Sequence, residues 1–214
     1  MKNELNPKQK EAVEATDGPL LIIAGAGSGK TRTLVERIVN IIRSGKAYPY
    51  EIMAVTFTNK AAGELRERII KAVGEEGRSV IAGTFHSICS RILRKHSNLI
   101  GYQSNFVIYD SEDSEKLIKA IIKKNNLSST AFPVKKVGGM ISKLKNRLVY
   151  PEDYNSGSDD YFDDKLKEVY SDYQKELKSC NAFDFDDLIC MTVKLFRAHN
   201  EVLEEYQNKI KYIC

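Results

Sequence analysis

The sequence predicts an α/β fold with a mostly parallel sheet and a mainly helical insert. Three observations lead there. Short apolar runs alternate with helical patterns through the first hundred residues. The first of these runs leads into a glycine-rich turn that opens a helix. After Asp110 the strand signals give way to one helical pattern after another.

Asn6 followed by Pro7 is a helix start, with a capping side chain and then a residue that needs no N–H donor. Residues 19–24 are a short continuous apolar run, which predicts a strand buried on both faces. A helix is expected over residues 30–43, with Leu34, Ile38, Ile41 and Ile42 on one side. The cycle repeats with strand 52–57 and helix 59–73, then strand 79–83 and helix 87–96. Residues 106–109 end this rhythm. Asp110, Glu112 and Asp113 mark a helix N-terminus, with acids at the positive end of the dipole.

Helices are then expected over 111–125, 133–147 and 162–180, with an acidic loop at 152–160. Two more follow at 185–199 and 201–207, and residues 210–214 return to an apolar run. Asp184, Asp186 and Asp187 read as a helix-start cluster that follows a helical segment rather than a buried strand. The expected division is a core of 1–105, a helical insert of 106–182 and a return to the core at 183–214.

The 214 residues are 42% hydrophobic and 29% charged, which excludes a disordered or collagen-like chain. No apolar run reaches the roughly 18–20 residues of a membrane span. The polar N-terminus has no signal-peptide core, so a cytoplasmic protein with no membrane partner is expected. Cys89, Cys180, Cys190 and Cys214 are scattered without metal-ligand spacing and read as reduced thiols. The net charge of +4 conceals a division into +6 over 1–105, zero over 106–182 and −2 over 183–214. Within the neutral part, residues 116–147 hold nine basic residues and no acid, whereas 152–164 hold six acids and no base. The basic block suits either a polyanion or a solvated helix face.

The strongest chemical signal is Ala24-Gly-Ala-Gly-Ser-Gly-Lys-Thr31, placed between an apolar run and a helix. Backbone N–H groups of such a turn wrap phosphate oxygens, and the helix adds its positive N-terminus. Lys30 would reach the β/γ-phosphates and the Thr31 hydroxyl would bind Mg²⁺, which makes this a nucleoside triphosphate site. Gln9 carries a carboxamide, which can pair with adenine N6 and N7 together. Two further runs, Val55-Thr-Phe-Thr-Asn-Lys-Ala-Ala62 and Gly83-Thr-Phe-His-Ser87, put hydroxyls and aromatics at the carboxyl ends of predicted strands. Open α/β sheets bind ligands there. Lys60 and the hydroxyls suit phosphates, and Phe57 or His86 suits base stacking. Taken singly, Phe57 and Phe85 read more readily as core residues than as platforms.

Together these runs, in this order, resemble the N-terminal lobe of superfamily 1 DNA helicases of the UvrD/PcrA/Rep kind. Leu5-Asn-Pro-Lys-Gln9 is similar to their adenine-reading Q motif, and the glycine-rich run through Arg32 to motif I. The runs at 55–62 and 83–87 resemble motifs Ia and Ib. Asn181-Ala-Phe-Asp-Phe-Asp-Asp-Leu188 resembles the place where the family's insert returns to its RecA-like core.

The resemblance implies an ATP- and Mg²⁺-dependent 3′-to-5′ DNA helicase. Lys30 and Thr31 would be its catalytic residues here. Gln9, Ala26, Gly27, Ser28, Gly29, Lys30, Thr31 and Arg32 would hold ATP, with Thr31 toward the metal. Phe57, Asn59, Thr84 and His86 would face single-stranded DNA, and the insert would lie beside single-/double-strand junctions. In that family an apolar strand ending in Asp-Glu-x-x-Asp comes next. Residues 210–214 look like that strand, so these acids and the remaining helicase domains are expected beyond this sequence. The chain is therefore expected to bind nucleotide and DNA weakly, without efficient hydrolysis or unwinding. The alternatives are the motor part of a helicase–nuclease subunit and a free-standing DNA- or nucleotide-binding module. A small-molecule kinase would leave the runs at 55–62 and 83–87 without a purpose.

Overall fold

The computed structural model describes residues 4–155 and 161–214. The acidic loop expected at 152–160 therefore lies in part, at 156–160, outside the described residues. The chain forms two compact units, one of residues up to Ile88 together with Leu203–Cys214, the other Cys89–Val202.

The first unit starts with α1 (Pro7–Glu14) and α2 (Lys30–Arg43). The Asn6 side chain accepts from Gln9 N, and the Gln9 side chain accepts from Asn6 N, closing a capping box. No residue of α1 is buried. Polar bonds from α2 hold it instead. Arg37, only 7% exposed, donates to the carbonyls of Ala12 and Ala15, and Asn40 donates to Val13 O. These side chains satisfy carbonyls that a helix C-terminus leaves orphaned.

Next come β1 (Ile52–Thr56), α3 (Asn59–Val73) and β2 (Ile81–Thr84). β1 pairs in parallel with β2 on one side, and on the other with the late strand β5 (Tyr212–Ile213). Val35, Ile38 and Ile41 of α2, Ile52 and Ala54 of β1, and Leu65 and Ile69 of α3 share one core. The spacing in α2 and α3 gives each helix one apolar stripe toward that core.

The strand expected at 19–24 does not form. Both edges of β1 are taken by β2 and β5, and among the described residues no strand pairs with 19–24. Leu21 is 82% exposed and Ile23 88% exposed. Residues 16–20 instead face 211–214 across a cavity of about 440 Å³.

The second unit carries most of α4 (Phe85–His96), then β3 (Val107–Tyr109), α5 (Ser111–Lys124), α6 (Val134–Asn146) and α7 (Tyr161–Ser179). It continues with β4 (Ala182–Asp184), α8 (Phe185–Ala198) and the start of α9 (Asn200–Lys209). Its main core joins α5, α6 and α7 through Ile118, Ile122, Val137, Ile141, Leu166, Val169 and Tyr173.

A correction concerns Asp184, Asp186 and Asp187. They do start a helix, since Asp184 caps α8 and forms a capping box with Asp187. Asp184 also ends a buried strand, because β4 pairs in parallel with β3, so the cluster follows a strand and not a helical segment directly. Beneath them Lys145, 1% exposed, sits 2.6 Å from Asp184 Oδ2 and 2.8 Å from Asp187 Oδ1. Tyr173 Oη donates to Asp184 Oδ2 at 2.9 Å. The basic block at 116–147 is thus no continuous cationic face. Lys145 is buried, Lys116 pairs with Glu112, Lys124 pairs with Glu176, and Lys136 lies over the Phe162 ring.

Candidate nucleotide-binding site

The glycine-rich turn runs directly into α2, with Gly29 as N-cap and Lys30 as its first residue. Gly27 (φ +72°) and Gly29 (φ +84°) occupy the left-handed region that side chains disfavour. A Cβ built on Gly25 or Gly27 would meet nothing within 4 Å, so the turn keeps open space beside its backbone. Lys30 Nζ donates to Ala24 O at 2.8 Å and Gly25 O at 2.7 Å. Ser28 Oγ donates to Gly25 O at 2.7 Å. The Lys30 ammonium thus rests on exposed carbonyls of its own loop, from which an incoming phosphate can take it. Thr31 follows in the first turn of α2 and is exposed, with its hydroxyl available to a cation. Ala26 is exposed beside Gly27, and Arg32 is half-buried one residue beyond Thr31. The room, the dipole end and the ammonium all suit a phosphate chain with its magnesium ion.

Gln9 reaches this loop from α1. Its Nε2 donates to Ser28 O at 2.9 Å, while its Oε1 accepts from Asn6 N at 2.9 Å. Both ends of the carboxamide expected to read adenine are engaged in holding protein together. That second use of Gln9 escaped the sequence reading, although Asn6-Pro-Lys-Gln9 has the spacing of a capping box.

The other expected residues meet at the carboxyl ends of adjacent strands. β1 and β2 run in register with Thr56 opposite Thr84, which brings Phe57 and Asn59 beside Thr84 and His86. Phe57 is 96% exposed, so the core reading of it fails. Asn59, also exposed, is the first residue of α3, whose N-cap Thr58 accepts from Ala61 N. Thr84 Oγ1 accepts from Ser87 N, and Ser87 Oγ both accepts from Thr84 N and donates to Thr84 O. The Thr84 hydroxyl is therefore a helix-capping group, with its proton left to offer a ligand. His86 is half-buried. Ser87, which fixes this turn, was visible only as the fourth residue of a Thr-x-x-Ser spacing.

An open glycine-rich turn at a helix N-terminus, together with an exposed aromatic at the ends of parallel strands, suits a nucleotide-using protein of α/β class. Sequence comparison gives the family. The model of the UvrD/REP helicase N-terminal domain matches residues 5–214, and the chain belongs to that family. It is 47% identical over 211 residues to the ATP-dependent DNA helicase PcrA of Staphylococcus aureus, covering 99% of this chain and 29% of that protein. Against PcrA of Bacillus subtilis the identity is 47% over 209 residues, covering 98% of this chain and 28% of the relative. Against PcrA of Staphylococcus epidermidis it is 46% over 209 residues, or 98% and 29%. The chain spans less than a third of the length of these relatives.

Among the described residues no helix is long and apolar enough to cross a membrane.

Proposed function

We propose that this chain is the ATP- and DNA-binding N-terminal part of a 3′-to-5′ DNA helicase or translocase, acting in the cytoplasm on single strands and single-/double-strand junctions. The observation that carries this reading is the Lys30 ammonium folded onto the Ala24 and Gly25 carbonyls at the mouth of an open glycine turn. ATP and Mg²⁺ fit there. Lys30 would neutralise the β/γ-phosphates, and the N–H groups of 26–31 would wrap them. Gln9 would read the base, Arg32 would stand at the edge of the nucleotide, and the Thr31 hydroxyl would hold the metal. When bound, ATP supplies the phosphoryl-transfer energy for movement along DNA.

The β2–β1–β5 sheet with α2 and α3 would be the first part of a RecA-like core. The segment 106–182 would be its insert, returning to the core at 183–214. DNA would cross the strand ends, stacking on Phe57 with Asn59, Thr84 and His86 against its backbone. By itself the chain would bind both ligands weakly and turn over little.

Titration of ATP with Mg²⁺ against the wild-type chain and Lys30→Ala tests the reading. Removing the ammonium should weaken binding at least tenfold, since charge-assisted bonds contribute about 1.5–3 kcal/mol each. Equal affinities would defeat the assignment.

A further inference from the structure

We infer that Gln9 is a positioning residue for the phosphate loop, independently of any contact with the base. This deepens the nucleotide reading above and rests on it. The bond from Gln9 Nε2 to Ser28 O fixes the carbonyl side of the Ser28–Gly29 peptide unit. That unit is planar and trans, so the Gly29 N–H points to the opposite side from the held carbonyl. Gln9 thus sets the direction of one of the N–H donors that a phosphate would meet.

Both ends of the brace are anchored. At the loop end, Gly29 has φ +84°, a conformation that side chains disfavour, and a Cβ there would stand 3.0 Å from Gln9 Nε2 and push against the amide. At the other end, Gln9 Oε1 accepts from Asn6 N, which orients the carboxamide with its NH₂ toward the loop. The helix that carries it is pinned to α2 through Arg37 and Asn40. α2 itself begins at Lys30, so α1, the loop and α2 close a ring in which Gln9 is the last link. Without that link the Ser28 carbonyl loses its partner, the Ser28–Gly29 unit is held only through its neighbours' bonds to Gly25 O and from Thr33 N, and binding must order it further. Base recognition is a second use of the same amide, through the remaining N–H of Nε2 and the remaining lone pair of Oε1.

The decisive probe is tripolyphosphate with Mg²⁺, which has the phosphates of ATP and no base. Its affinity for the 214-residue chain is measured by calorimetry for wild type, Gln9→Met and Asn6→Ala. Gln9→Met keeps the length of the side chain and removes the amide. Asn6→Ala weakens the α1 cap and leaves both Gln9 bonds, since Gln9 accepts from the Asn6 backbone. One net hydrogen bond predicts that Gln9→Met binds tripolyphosphate about threefold to tenfold more weakly, with Asn6→Ala close to wild type.

Two results overturn the inference alone. In one, Gln9→Met loses ATP affinity but binds tripolyphosphate like wild type, so that Gln9 acts only through the base. In the other, Gln9→Met and Asn6→Ala lose the same amount, so that the effect is fraying of α1. A wild-type chain that binds neither ATP nor tripolyphosphate, with Lys30→Ala indistinguishable from it, overturns the nucleotide reading and this inference together.

Discussion

Replacing Lys145 with methionine should destabilise the second unit more than any surface change. The ammonium is 1% exposed and lies within 2.6 Å of Asp184 Oδ2 and 2.8 Å of Asp187 Oδ1. Methionine keeps most of the apolar stem and removes the charge. What remains for the two carboxylates is Tyr173 Oη at 2.9 Å, Gln174 Nε2 at 3.2 Å, and within the α8 cap the Asp187 N–H at 2.8 Å and the Asp184 N–H at 3.4 Å. Two buried carboxylates with no cation are then left facing each other. Breaking a buried pair by deleting one partner costs about 3–5 kcal/mol. For a unit of this size that corresponds to a fall in melting temperature of about 10–20 °C.

The assay is urea and thermal unfolding followed by circular dichroism. The triple variant Lys145→Met, Asp184→Asn, Asp187→Asn removes all three charges, and asparagine at 184 still caps α8. It should recover at least half of the loss, because an uncharged cluster carries no desolvation penalty for ions. A loss below about 1 kcal/mol in the single variant would refute the argument, being the range of an exposed pair. So would a triple variant no more stable than the single one.

Three other outcomes follow from the same geometry. Burial pushes the Asp187 carboxyl up to about 6, with Lys145 opposing and Asp184 adding to the rise. The folded state therefore holds a proton that the unfolded chain, near 3.8, has released. That contribution is complete below the lower value and is lost as pH rises through about 6, so urea midpoints should increase from pH 7 to pH 5. Asp187→Asn should flatten the increase, and an unchanged slope would contradict it. Phe57→Ala should lower affinity for an oligothymidine about 5- to 150-fold, the worth of one stacked base, while leaving the melting temperature unchanged because Phe57 is 96% exposed. A stability loss in place of a binding loss would mark it as core. Leu21→Lys with Ile23→Lys should reduce dye binding and self-association at no cost in stability, since those residues are 82% and 88% exposed. A destabilisation above about 1 kcal/mol would show that the segment packs.

Much of the chain was legible because its signals are local. The helix over 30–43 was bounded by the glycine turn and the end of an apolar stripe, and α2 has those limits. Asp110 caps α5 by accepting from the amides of Glu112 and Asp113, as a lone acid before a helical pattern predicts. The tight turn into α2 needed only its glycines. Phe57 taken singly suited a core more than a platform, as an aromatic at a strand end does. Its exposure excludes the core.

The misses share one cause. Residues 19–24 have the composition of a central strand, but a strand exists only where a neighbour offers its edge, and that neighbour lies far away in sequence. The three residues of β4 were too few to show a period, and only pairing with β3 makes them a strand. Lys145 stands among eight other bases between 116 and 147, indistinguishable from them until α8 brings two carboxylates under it. At the site, the bond from Gln9 to Ser28 O has the same origin, since it depends on the approach of α1 to the loop. The sequence by itself determined the helices, the caps and the phosphate turn, because each is written within four or five residues. Only the tertiary structure decided which apolar run became a strand, which lysine was buried and what Gln9 holds, because those outcomes depend on partners from distant parts of the chain.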